Sequence, residues 1–211
     1  MKINIFNVAL GVALTATTLG ASAQKTYTSG VVSYTTEMRG QQADVKQYFT
    51  PDSSAVVMNI GPANVKVLST AKHDYLAVVL DVPVASIKKA GIATPAELEE
   101  GLGQIPTFTF APGTETKTIS GFNCKKVVAT NTKTNKTYDI WITNDIVAPP
   151  TAIPLYYVTI GGFPVQYTAF QQGQEAPITI SGISNEAAPK GTFAIGKDVE
   201  KGTLADLNPG G

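Results

Sequence analysis

"SGFNCKKVVATNTKTNKTYDIWIT", residues 120–143, holds the chain's single cysteine, Cys124, and its single tryptophan, Trp141. On both sides of a polar centre, apolar and polar residues alternate with the period of two expected of β-strands. A turn at Thr134-Asn135, with Lys133 facing Lys136, folds the stretch into a hairpin. In that register Val127 meets Ile142, Ala129 meets Ile140 and Asn131 meets Tyr138 on one face. Val128 meets Trp141 and Thr130 meets Asp139 on the other, which also carries Phe122 and Cys124. Cross-strand pairs of aromatic and β-branched residues stabilise such a ladder, and a slip of one residue would exchange its faces. Both faces are partly apolar, which predicts a central hairpin, covered on both sides, in a curved antiparallel sheet.

Working outward, the same period recurs. Lys25 to Met38, Val45 to Thr50, Ser54 to Ile60, Val65 to Thr70 and His73 to Asp81 read as strands. Val45, Gln47 and Phe49 share one face. The spacing, with turn residues such as Gly61-Pro62 between the runs, is that of a meander. On the C-terminal side, a strand from Thr107, a turn at Ala111-Pro112-Gly113 and a strand over Thr114 to Ile119 lead into the hairpin. Val165 to Phe170 and Pro177 to Asn185 predict a second hairpin across Gly173. Phe193 to Ile195 predicts a last short strand, and Thr203 to Leu207 a closing helical turn.

Two short helices interrupt the strands. Pro83 to Ala90 reads as about two turns with Gly91 as its C-cap. Thr94-Pro95-Ala96-Glu97 combines a capping threonine, proline at the first helical position and a capping-box glutamate. Leu98 and Leu102 then fall on one face, and Gly101 and Gly103 keep that helix short. The pair predicts a helical flap that needs tertiary packing to persist.

The first residues read as an export signal. Met1-Lys2 is basic, Ile3 to Leu19 is mostly apolar, and Ala21-Ser22-Ala23 is a small-x-small cleavage pattern. Residues 1–23 are therefore expected to be removed, leaving 24–211 as one β-rich domain, periplasmic or secreted. With Lys2 gone the charges are 15 basic against 16 acidic, from 16 and 16 in the whole chain. That balance, with Arg39 the only arginine, excludes an electrostatic footprint for nucleic acid. The apolar run is too short for a stable membrane span. One cysteine permits no internal disulfide.

With Ile119, Gly121, Phe122, Cys124, Lys126, Tyr138, Trp141 and Thr143, the hairpin resembles the core motif of the GLPGLI-like group, a family of secreted envelope proteins. "GGFPVQY" (161–167) and "GTFAIGKDVEKGTLADL" (191–207) extend the resemblance, with Ile142 and Gly196 departing from the usual pattern. The resemblance implies a fold similar to that of the LolA/LolB lipoprotein carriers, an unclosed β-barrel with short helices over its mouth. It implies no catalytic residues, and a shared fold does not fix a function.

The residues carry little catalytic chemistry. Cys124 lacks a local base and reads as a buried apolar cysteine. His73, the only histidine, sits beside Asp74 without a nucleophile elbow. One histidine and one cysteine make no zinc site, and Glu97, Glu99 and Glu100 lack a partner cluster, so no cofactor or metal is expected. Ile146 to Phe163 is rich in proline, glycine and apolar residues, as a packed loop or a pocket wall would be. The expected function is non-enzymatic binding of a hydrophobic ligand, a lipid or acyl chain, in the concave face. The candidate contacts are Trp141, Tyr156, Tyr157, Phe163, Leu98 and Leu102, with Ile87 on the inner side of the flap. The alternative is an envelope interaction module acting through Ile146–Phe163 or a sheet edge.

Overall fold

Alternation of β-branched and polar side chains is realised as a long meander. The strands of its first part are β1 (Lys25–Thr26), β2 (Gly30–Met38), β3 (Gln41–Phe49), β4 (Ser53–Ile60), β5 (Ala63–Thr70), β6 (Leu76–Val82) and β7 (Ile87–Ile92). A single α-helix, α1 (Pro95–Gln104), follows. The second part comprises β8 (Phe108–Ile119), β9 (Phe122–Asn131), β10 (Thr137–Thr143), β11 (Ile146–Val147), β12 (Phe163–Gln171), β13 (Gln174–Ser184) and β14 (Glu200–Thr203). This computed structural model describes residues 24–38, 41–171 and 173–207; the expected signal peptide, 1–23, lies outside them.

Twelve strands form one curved, mostly antiparallel sheet that does not close into a barrel. Its order is β14-β7-β6-β5-β4-β3-β2-β13-β12-β10-β9-β8. The fold is mainly β, with β1 and β11 pairing in parallel as a separate ribbon. One wing is the meander β2 to β7, the other runs from β8 to β13, and β2 joins them by pairing with β13. Helix α1 links β7, beside one edge of the sheet, to β8 at the other.

Each face of the sheet has its own cover. On the inner face, Val32, Phe49, Ala129, Ile140, Val165 and Ile178 pack with the segment between β11 and β12. On the outer face of the first wing, Val31, Tyr48, Ala55, Leu68 and Ala77 lie under Ala188, Phe193 and Ile195 of the C-terminal tail. Lys66 fixes that tail by donating to the carbonyls of Gly191 (3.1 Å) and Ala194 (2.6 Å). Val199 continues the cover over Val79 and Ala90.

The hairpin forms with the expected faces but not the expected partners. Tyr138 pairs with Ala129, Ile140 with Val127 and Ile142 with Lys125, a shift of two residues that leaves every side chain on its expected side. The cause is the turn. The side-chain oxygen of Asn131 accepts from the backbone N–H of Lys133 (2.9 Å) and of Thr134 (3.0 Å). Asn135 adopts φ 59°, so the loop closes over four residues rather than two. The outer side of the hairpin is dressed by charged side chains: Lys117 Nζ lies 4.0 Å from the Trp141 ring centroid. Lys126 binds Glu115 (2.9 Å) and Asp139 (2.7 Å).

Other elements depart from the sequence reading. Pro83 to Ala90 is not an α-helix: only Pro83–Ala85 turns, as a 3₁₀ turn, and β7 follows. Pairing with β6 on one side and β14 on the other overrides the helix propensity of its lysines and alanine. Gly91 is no C-cap; it lies within β7, where a Cβ would stand 2.6 Å from the Thr203 carbonyl oxygen. Ala111-Pro112-Gly113 is not a turn but the start of a bulge inside β8. Phe193 to Ile195 is not a strand; these residues use turns to lay their apolar side chains on the outer face, and β14 is the last strand.

Tyrosines concentrate in the inner core. Burial pushes the Tyr34 phenol up from 10.0 to about 12, with Tyr156 adding to the effect. Burial raises Tyr157 and Tyr167 as well. A raised phenol favours the protonated, folded state, so this stabilisation is complete below about pH 10 and is lost as the pH rises toward 12. With tyrosinate absorbance and far-ultraviolet circular dichroism titrated together, the phenols of Tyr34, Tyr157 and Tyr167 are expected to ionise above pH 10 in the same step in which the fold is lost. Ionisation of these phenols near their ordinary value with the fold intact would contradict their burial.

Candidate functional site

The segment between β11 and β12 partitions the inner face. Pro149, Pro150 and Pro154 restrict its backbone, and 3₁₀ turns form at Pro150–Ala152 and Leu155–Tyr157. Gln47 on β3 donates from Nε2 to the Thr151 carbonyl (2.9 Å), and Thr151 Oγ1 donates to the Thr50 carbonyl. The Tyr157 hydroxyl donates to the Thr168 carbonyl (2.9 Å), and the Tyr156 hydroxyl accepts from the Phe170 N–H (3.2 Å). These bonds pin the segment over the centre of the sheet and leave the inner face of β4 to β6 beside it uncovered.

Helix α1 roofs that uncovered region. Its start is the predicted capping box: Glu97 N–H donates to Thr94 Oγ1 (3.3 Å), and Thr94 N–H donates to Glu97 Oε2 (2.7 Å). None of its ten residues is buried, and Leu102 is 42% exposed. A helix docked this loosely exposes its leucines to whatever lies beneath.

Beneath lies a cleft of about 380 Å³. Its floor is Gln47, Ser54, Val56, Ser69 and Leu76 on strands β3 to β6. Its roof is Glu97, Leu98, Gly101 and Leu102, continued by Ile105. Pro150 to Leu155 supplies the third wall, and the turn from Thr70 to His73, with Tyr75, supplies the rim. The volume falls within the ordinary range of small-molecule sites, and the lining is chiefly apolar with a few polar groups.

Of the candidate ligand contacts named from the sequence, only Leu98 and Leu102 reach this cleft; His73, Glu97 and part of the Ile146–Phe163 segment, singled out on other grounds, line it as well. Tyr157 (0% exposed) and Phe163 (2%) are core residues. Tyr157 packs against Tyr156, Tyr167, Phe108 and Phe110, with the Tyr156 ring centroid 4.6 Å away. Tyr156 joins the same aromatic cluster, 5.4 Å from Phe170. Trp141 lies under Lys117, away from the cleft, and Ile87 is exposed at the start of β7. Cys124 is buried, its thiol bonded to the Phe122 carbonyl at 3.5 Å, and burial pushes its pKa up, which keeps it protonated and unreactive at neutral pH.

The sequence reading missed the floor. Its signal was present: Gln47 interrupts the apolar set Val45 and Phe49, and Ser54 and Ser69 interrupt rows of valine. A polar residue on the inward side of a strand marks a position that does not meet a close-packed core. Ser54 and Ser69 are directly paired across β4 and β5, so their hydroxyls share one site.

Among the described residues, no cluster of three His, Cys, Asp or Glu could hold a metal ion, and no helix is long and apolar enough to cross a membrane. No family model and no curated protein matches the chain. Among solved structures it is similar to PNGF-II in the C2 crystal form, with TM-score 0.47 and 13% identity over 85% of this chain and 32% of that one. It is similar to the P21 form with TM-score 0.47 and 13% identity over 86% and 32%. The chain thus spans about a third of the length of these neighbours.

Proposed function

We propose that the protein is an exported, non-enzymatic envelope component that holds a hydrophobic ligand, a lipid or acyl chain, in the cleft between the inner sheet face and α1. The observation that carries this reading is the pair Leu98 and Leu102, held over an apolar-walled cavity by a helix that buries none of its residues. In water such a helix gains little from its own propensity, and its apolar face becomes useful when a ligand covers it. The signal-like N-terminus and the resemblance of the hairpin to the core motif of secreted envelope proteins support export.

Native mass spectrometry of the protein purified from its own envelope tests this. A stoichiometric apolar mass, released by organic extraction, is expected. The double substitution Leu98→Ser/Leu102→Ser should abolish its retention while changing unfolding stability by about 1 kcal/mol or less, because neither residue is buried. An apo mass that persists after incubation with envelope lipids would overturn the reading.

A second reading, an interaction module, has its own support. Val147, Leu155 and Val158, three of the six large apolar residues most exposed among those described, lie on or beside the segment between β11 and β12. Tyr156 and Tyr157 are held in the core, so Leu155→Ser/Val158→Ser is the variant that should break a pull-down without unfolding the protein.

A further inference from the structure

The chemistry of the cleft lining narrows the ligand beyond "hydrophobic", and this step rests on the cleft being the binding site. We infer that the cleft takes one uncharged, single-chain amphiphile, with a hydroxyl or amide head on the Ser54–Ser69 floor and its chain against the leucines of α1.

Charge is the first argument. Among the described residues, no lysine or arginine lines the cleft; Lys72, in the rim turn, is not part of the lining. Among the described residues the only carboxylate there is Glu97. The one basic side chain of the lining, His73, is on the rim, so a fatty-acid carboxylate or a lipid phosphate on the Ser54–Ser69 floor would lose its water with no lysine or arginine to meet it, in a cleft that already holds a carboxylate. The N-terminus of α1 is a feature that attracts anions. It is already used, because Glu97 occupies it by accepting from the Thr94 N–H. An external anion would meet the Glu97 carboxylate there.

The floor supplies the second argument. Ser54 and Ser69 face each other across the ladder, and Ser54 is buried to 7% exposure. Gln47 Nε2 is bonded to the Thr151 carbonyl and, at 3.4 Å, to Ser54 Oγ, which leaves its amide oxygen to accept. Two hydroxyls and an amide oxygen are neutral donors and acceptors. They match an alcohol or amide head, which both gives and takes a hydrogen bond.

Size is the third. A cleft of about 380 Å³ holds roughly a dozen non-hydrogen atoms, taking ~30 Å³ for each water-sized group. One chain of about ten carbons with a small head fills that space; a second chain would have to lie outside it.

Isothermal titration of the mature protein with 1-decanol, decanamide and sodium decanoate, at a pH where the carboxyl is ionised, tests the inference. Decanol and decanamide should bind with one site each, and decanoate at least ~10-fold more weakly, a gap of ~1.4 kcal/mol. Dioctanoylglycerol, with two chains, should not displace decanol. Ser69→Lys, which sets an ammonium on the floor, should invert the order so that decanoate binds more tightly than decanol. Decanoate binding as tightly as decanol to the unmodified protein, or displacement by the two-chain lipid, overturns the assignment of ligand class and leaves the cleft as a lipid site. Failure of all three single-chain probes to bind overturns the cleft reading itself.

Discussion

Replacing Tyr157 with alanine is expected to destabilise the protein by about 3–5 kcal/mol, as removal of a fully buried aromatic ring does. The ring is 0% exposed and touches Tyr156, Tyr167, Phe108 and Phe110, so no neighbour can close the void without leaving its own contacts. The hydroxyl adds a second loss, since the Thr168 carbonyl would be left without its donor. Against a total stability of about 5–15 kcal/mol for a domain of ordinary size, this change leaves little folded population in reserve. Urea unfolding of Tyr157→Phe alongside separates the two contributions: that variant keeps the ring and should lose only about 1 kcal/mol. A Tyr157→Ala loss below about 1 kcal/mol would mean that the segment between β11 and β12 is not a fixed part of the core.

Gly30→Ala should cost about 3 kcal/mol, the upper end of what overpacking usually costs. Gly30 starts β2 at the seam between the wings, and a Cβ there would stand 2.0 Å from the carbonyl oxygen of Ser184 and 3.3 Å from Asn185 Cα. Backbone atoms cannot rotate aside, so the strands themselves must separate. Amide exchange should show the loss concentrated in β2 and β13, with β4 to β6 keeping their protection. Gly182 gives the internal control. It lies in the same seam, where a Cβ would meet nothing within 4 Å, and Gly182→Ala should be nearly neutral. Equal losses at the two positions would show that strand flexibility rather than steric contact governs the seam.

Much of this architecture is written in local pattern, because the period of two is set by the pleat and survives errors of register. The hairpin shows how. Its partners were misplaced by two residues, yet Tyr138, Ile140 and Ile142 kept their face, because a shift of two restores the alternation. The capping box at Thr94 was legible for a similar reason, since all its partners lie within three residues. Distant partners decided what was missed. Ile87 to Ile92 has the composition of a helix and becomes a strand because β6 and β14 flank it, and β14 lies more than a hundred residues further along. The site follows the same division. Leu98 and Leu102 were visible on one helix face, whereas the floor depended on which strands Gln47, Ser54 and Ser69 would bring together.

The strand order also makes the molecule separable in a defined way. Helix α1 is the one covalent link between the wings, and none of its residues is buried, so a protease can nick it without entering the core. The halves would remain joined by several contacts: the β2–β13 seam, the β1–β11 ribbon, the bonds of Gln47 and Thr50 to Thr151, and the tail of the second half, which lies across the outer face of the first and ends in β14 paired with β7. A nicked molecule should therefore stay one particle, and the two pieces, produced apart, should reassemble in proportion to their concentrations. The roof of the cleft is also the hinge line of a split protein, so fragment complementation can report on assembly and on occupancy in one assay.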